Sequence, residues 1–116
     1  MREMNIIETK DYCGILVTCS TERWDTHIVD GHPEMVGKEH NVAGIISDPQ
    51  LIKKQSGDRK VYFNRDALSV MPPLYTKVVV EYSEISGVTT GTVITAYITK
   101  KLGSENENSK IEIRRF

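Results

Sequence analysis

No apolar run in this sequence approaches the ~18 residues that a membrane-spanning helix needs. The opening residues, Met1-Arg2-Glu3-Met4-Asn5, lack the apolar stretch of a secretory signal, so a cytoplasmic protein is expected. No charge of one sign dominates. Lys and Arg number 15, Asp and Glu 16, and the net charge is −1. That balance argues against bulk electrostatic capture of nucleic acid and leaves local basic sites as the route to it. Cysteine is scarce, with Cys13 and Cys19 alone. They flank Gly14-Ile15-Leu16-Val17-Thr18, which reads as extended chain. Six residues of strand span roughly 20 Å, too far for a disulfide, so both are expected as free thiols in a reducing compartment. A Gly-rich phosphate loop, a nucleophile-elbow serine, a His-Glu-x-x-His helix and a paired-carboxylate motif are all missing. There is no internal repeat.

What is present is a globular composition, 39% hydrophobic and 27% charged. It supports a packed core rather than disorder. A length of 116 residues implies one domain.

Asn5–Thr9 and Gly14–Thr18 are β-rich runs that can pair as a hairpin across Lys10-Asp11-Tyr12. Ser20 can N-cap a helix with Glu22 in its first turn. Trp24, His27 and Ile28 then share a face at i, i+3 and i+4. Gly31 and Pro33 end that helix, and the proline pushes His32 out of helical geometry. A second helix is predicted over Lys38–Ser47, with Val42, Ile45 and Ile46 as its apolar stripe. Asp48-Pro49 reads as an N-cap and first helical residue, opening a short turn through Leu51 and Ile52. Arg59–Asn64 is a predicted strand, and Met71-Pro72-Pro73 a loop. Thr76–Tyr82 and Thr92–Ile98 are the clearest strands, joined through the turn chemistry of residues 86–91 and therefore antiparallel. Alternation puts Ile94, Ala96 and Ile98 on one face and Val93, Thr95 and Tyr97 on the other. Residues 103–109 form a polar segment predicted to be mobile, and Lys110–Phe116 an edge strand or a tail. Helices first and strands after predict an α+β fold. Its N-terminal helices would pack on a mostly antiparallel sheet of about four strands, with an N-terminal hairpin as an extension.

The richest segment for chemistry is Trp24–Met35. It holds His27 and His32 among Asp25, Asp30 and Glu34, and His40 follows closely. Imidazole titrates near neutral pH, so clustering of all three histidines points to proton transfer or ligation. Spacings of five and eight match no common zinc pattern. A general base needs one positioned imidazole. His27 suits that role, and equally suits a core histidine bonded to a carbonyl. A basic stretch follows, with Lys53, Lys54, Arg59, Lys60 and Arg65 against Asp58. Beside a histidine-bearing helix it would suit a phosphodiester, and otherwise it is a solvated face. Tyr62, Tyr82 and Tyr97 read as sheet or core residues that can also stack bases.

The ordered set Trp24-x-x-His27-Ile28, His32-Pro33-Glu34-Met35, Ile46-x-x-Pro49-x-x-Ile52, a Tyr62-containing strand, Lys77-Val78-Val79-Val80 and Val93-Ile94-Thr95-Ala96-Tyr97 resembles the barnase–EndoU–colicin–RelE-like nucleases of phages and mobile elements. The resemblance implies a nuclease-like core over residues 20–100. It implies metal-independent, cofactor-free RNA cleavage, often as a toxin, through 2′-hydroxyl attack and a 2′,3′-cyclic phosphate. By that likeness the catalytic set is His27 as base or acid, Thr95 on the phosphate, Arg59 or Lys77 as transition-state cation, and Tyr97 as orienting group. His32, Lys53, Lys54, Lys60 and Tyr62 would hold substrate. The implied partners are RNA, tRNA included, and an immunity or antitoxin protein. Two other readings stay open: a non-catalytic module that binds protein or nucleic acid, and a metal-dependent hydrolase using His27, His32 and neighbouring carboxylates.

Overall fold

A computed structural model of the chain describes residues 4–55, 57–65, 74–100 and 110–115. Strands β1 (Asn5–Lys10) and β2 (Leu16–Ser20) form the expected hairpin. Its connection is held by Asp11, whose Oδ1 accepts from the amides of Cys13 at 2.8 Å and Ile15 at 2.9 Å. Ser20 Oγ accepts from the Arg23 amide at 3.1 Å, so the predicted N-cap is made. Helix α1 (Thr21–Arg23) runs straight into a π-helical segment, Trp24–Val29. There Trp24 and Ile28 are buried and His27 is exposed. A 3-10 turn (Pro33–Met35) and helix α2 (Glu39–Ser47) follow, and α2 buries Val42, Ile45 and Ile46 as its sequence stripe requires.

The remaining described elements are strands: β3 (Leu51–Lys54), β4 (Arg59–Arg65), β5 (Tyr75–Ile85), β6 (Val88–Thr99) and β7 (Lys110–Arg114). Strand order is β1-β2-β6-β5-β4-β3-β7. Among the described residues all pairings are antiparallel except β2–β6, a short parallel joint of Val17 with Gly91 and Thr18 with Thr92.

The expectation of N-terminal helices on a mostly antiparallel sheet of about four strands is therefore overturned. The fold is a seven-stranded mixed sheet carrying short helical segments. Three particulars account for the difference. Leu51–Lys54 is strand rather than a helical turn, because Leu51 and Ile52 bury on opposite faces of the sheet. The N-terminal hairpin extends the sheet as expected, but through a parallel joint with β6 that makes the sheet mixed. Lys110–Arg114 resolves its two readings as an edge strand on β3.

One sheet face carries the helices and the larger core, where Trp24, Ile28, Met35, Val42 and Ile46 pack on Val17, Tyr62, Val78, Val80 and Ala96. The opposite face buries a smaller cluster of Leu51, Val61, Phe63 and Val79. Strict alternation along β6 fails at a bulge opposite Val79 and Val80. The extra residue returns Val93 to the face of Ala96 and turns Ile94 toward the smaller cluster. Ser86 and Gly87, both at positive φ (53° and 80°), make a tight two-residue turn between β5 and β6. The predicted loop Met71-Pro72-Pro73 and the polar segment 103–109 lie outside the described residues. No described helix is long and apolar enough to cross a membrane.

Candidate functional site

The C-terminal half of β6 runs beyond its short pairing with β2, and there the π-helix and the 3-10 turn pack against it. Pro33 forces the preceding residue into an extended form, and His32 sits at φ −139°, ψ 77°. Its ring reaches around the edge and stacks on Tyr97, with centroids 4.8 Å apart and planes at 23°. Glu34 Oε2 accepts from the Ile98 amide at 3.4 Å and lies 3.9 Å from His32 Nδ1. Lys77 is the register partner of Tyr97 on β5, and its Nζ lies 5.2 Å from the Tyr97 ring centroid and 5.9 Å from that of Phe63. Thr95 precedes Tyr97 by two residues and so lies on the same face, about 7 Å along the strand. An imidazole, a phenol, an ammonium and a hydroxyl thus share one side of the sheet beside the β6 edge.

Of the residues expected to act together, the structure gathers His32, Lys77, Tyr97 and Thr95. His27 is not among them. It is exposed on the segment packed over the helix-bearing face, whereas Thr95 opposes Val79 on the other face. Arg59 is bound to Glu81 at 2.8 Å, several residues along the sheet from Tyr97. Lys53 is buried on the Phe63 side, its Nζ 5.8 Å from that ring. Tyr62 is fully buried and bonded to Tyr82, so it offers nothing to a substrate. Lys54 and Lys60 project from the helix-bearing face at the far end of the β3–β4 hairpin. His40 is exposed at the start of α2. No group of three or more His, Cys, Asp or Glu among the described residues is placed to hold a metal ion.

A second polar cluster, which sequence reasoning missed, occupies that far end. Asp11, only 5% exposed, accepts from the Tyr82 hydroxyl at 2.8 Å through Oδ2. Tyr82 in turn meets the Tyr62 hydroxyl. Burial raises the pKa of both phenols, which stay protonated. Beside them Lys60 Nζ donates to the Tyr12 hydroxyl at 2.9 Å and lies 3.2 Å from Glu112 Oε2, while Tyr12 donates to the same carboxylate. Lys54 Nζ is 3.2 Å from Glu112 Oε1. Burial works to raise the Glu112 pKa, but the Tyr12 hydrogen bond and the two lysines outweigh it and hold the carboxyl below its usual range. Next to this cluster is a hollow of about 260 Å³ between the β3–β4 turn, Ile15, Tyr82 and Thr89. Lys54, Lys60, Tyr62 and Tyr82 were legible in the sequence as residue types, but their partners Asp11, Tyr12 and Glu112 lie far along the chain from them. No protein-family model, curated protein or solved structure matches the chain.

Proposed function

We propose that the chain is a metal-independent endoribonuclease whose reacting groups lie where His32 meets Tyr97 and Lys77. One observation carries this reading: the 4.8 Å stack of His32 on Tyr97 with the Lys77 ammonium 5.2 Å from the same ring. Cleavage by 2′-hydroxyl attack needs a base, a cation and an acid within the span of one phosphate. His32 takes the proton of the 2′-hydroxyl, and O2′ forms its bond to phosphorus. Lys77 and the Thr95 hydroxyl stabilise the charge gathering on the non-bridging oxygens. The Tyr97 phenol gives its proton to the departing 5′-oxygen as the P–O5′ bond breaks. The products are a 2′,3′-cyclic phosphate and a 5′-hydroxyl, and transfer of the proton from His32 to the Tyr97 phenolate through solvent restores the resting pair. His27 has no part in this assignment, which moves the base five residues along the expected motif. The cytoplasm is the fitting setting, and expression without an inhibitory partner protein should arrest growth.

The test is incubation with total RNA in excess EDTA, followed by chemical mapping of the new ends. Wild type should leave 2′,3′-cyclic phosphates. His32→Ala should lower the rate by about a hundredfold or more, with the folded spectrum retained. His27→Ala should stay near wild type. Cleavage that persists in His32→Ala refutes the assignment, and RNA bound without cleavage by wild type favours a binding module instead.

A further inference from the structure

The hollow beneath the β3–β4 hairpin lies at the other end of the sheet from His32 and plays no part in the cleavage reading. Its volume of about 260 Å³ would hold a compact ligand. Two backbone bonds flank it: the Gln55 amide donates to the Arg59 carbonyl at 3.0 Å and the Tyr82 amide to the Asp58 carbonyl at 2.8 Å. Ile15 and the Tyr82 ring supply apolar wall, and Lys54 and Lys60 line the same space.

Those two lysines are direct register partners, so their side chains leave the same face side by side. Like charges placed so repel unless an anion lies between them. Here the anion is the Glu112 carboxylate, contributed by β7 from outside the hairpin. One oxygen lies 3.2 Å from Lys54 Nζ and the other 3.2 Å from Lys60 Nζ, and the Tyr12 hydroxyl donates to the second. Two ammoniums and a phenol thus already grip the two oxygens of an oxyanion. Glu112 sets one negative charge against two on the lysine pair; of the other charged residues lining the hollow, Asp58 is negative and Arg59 is held by Glu81. A phosphate monoester offers a second negative charge and a third terminal oxygen, and it carries an organic body for the apolar wall.

We propose that this hollow binds a small phosphate monoester, and that Glu112 is the internal stand-in for its phosphate. In the bound state the ligand's oxygens take the places of the Glu112 carboxylate oxygens on Lys54 and Lys60. Its organic body lies against Ile15 and Tyr82. The carboxylate competes with the ligand, so removing its charge should strengthen binding while the strand remains docked.

The test is a titration of the full chain, followed by amide NMR shifts, with phenyl phosphate, inorganic phosphate, phenol and a chloride control of equal ionic strength. Phenyl phosphate should shift Lys54, Asp58, Lys60 and Thr89 saturably, inorganic phosphate should do so more weakly, and phenol should not. Glu112→Gln should tighten phenyl phosphate binding by about tenfold, and adding Lys54→Gln should remove that gain. Shifts no larger than those from chloride overturn the proposal, as does equal affinity in wild type and Glu112→Gln. If Glu112→Gln does not fold, Lys54→Gln alone decides: lost shifts support the site and unchanged shifts refute it. The titration reads binding alone, so its outcome is independent of the nuclease reading.

Discussion

Replacing Tyr82 with Phe should cost far more stability than replacing Tyr62 with Phe, although both remove one buried hydroxyl. The two phenols form a directed chain in which Tyr62 donates to Tyr82 and Tyr82 donates to Asp11 Oδ2 at 2.8 Å. In Tyr62→Phe the Tyr82 hydroxyl keeps its carboxylate acceptor and loses only an incoming donor, a loss of about 1 kcal/mol. In Tyr82→Phe two buried groups lose their partners together. The Tyr62 hydroxyl has no acceptor, and one oxygen of a carboxylate only 5% exposed has no donor. At about 1–3 kcal/mol for each abandoned group, the sum is about 3 kcal/mol. For a domain of this size that is a drop of about 10 °C in Tm. Urea unfolding of the two variants and the double variant, fitted with a common m value, measures the difference. The double variant should lie close to Tyr82→Phe, because the first link is already broken there. Equal costs for the two single variants would refute the directed chain. A cost below about 1 kcal/mol for Tyr82→Phe would refute the claim that Asp11 depends on it.

Gly91→Ala should destabilise by about 1–3 kcal/mol in urea unfolding, because a Cβ there would meet Val80 Cγ1 at 2.9 Å, Val17 Cγ2 at 3.0 Å and Tyr82 Cε1 at 3.1 Å. A thiol reagent should label Cys13 quickly in the native chain, whereas Cys19, buried and with its thiol pushed up to about 11, should react only on unfolding. The Glu112 carboxyl titrates below its unfolded value, so its stabilising effect is complete above that value and is lost as pH falls through the depressed one. The stability gap between wild type and Glu112→Gln should accordingly be largest near neutrality and close below about pH 4, as read from urea midpoints across pH.

Much of the local structure was legible because its causes are local. Ser20 caps its helix through an amide three residues away, and α2 follows from the spacing of Val42, Ile45 and Ile46. The β5–β6 pair follows from two apolar runs around turn residues. The misreading at Asp48-Pro49 has a clear origin. The dipeptide is a common helix opener, but here Pro49 is buried and leads directly into a strand. Which sheet face Leu51 and Ile52 would occupy depended on neighbours absent from the local pattern. The bulge in β6 was equally hidden, since Val93-Ile94-Thr95-Ala96 alternates plausibly in either register. Of the candidate site, the residue types were legible and the partners were not. His32 was expected to be extended before its proline, but its contact with Tyr97 spans 65 positions of chain. The Asp11–Tyr82 and Tyr12–Glu112 contacts span 71 and 100 residues, beyond any motif.

The short parallel joint between β2 and β6 sets an order of events. Val17 must wait for Gly91, some seventy positions downstream, before it gains its lateral neighbour. During synthesis the first hairpin therefore emerges with one side unclaimed, while the β3-to-β6 meander can zip up from near neighbours. Residues 5–20, which add Ile7, Val17 and Cys19 to the larger core, are expected to dock last. Supplied as a separate peptide to a chain lacking them, they should reattach along β6 and restore the seven-stranded array.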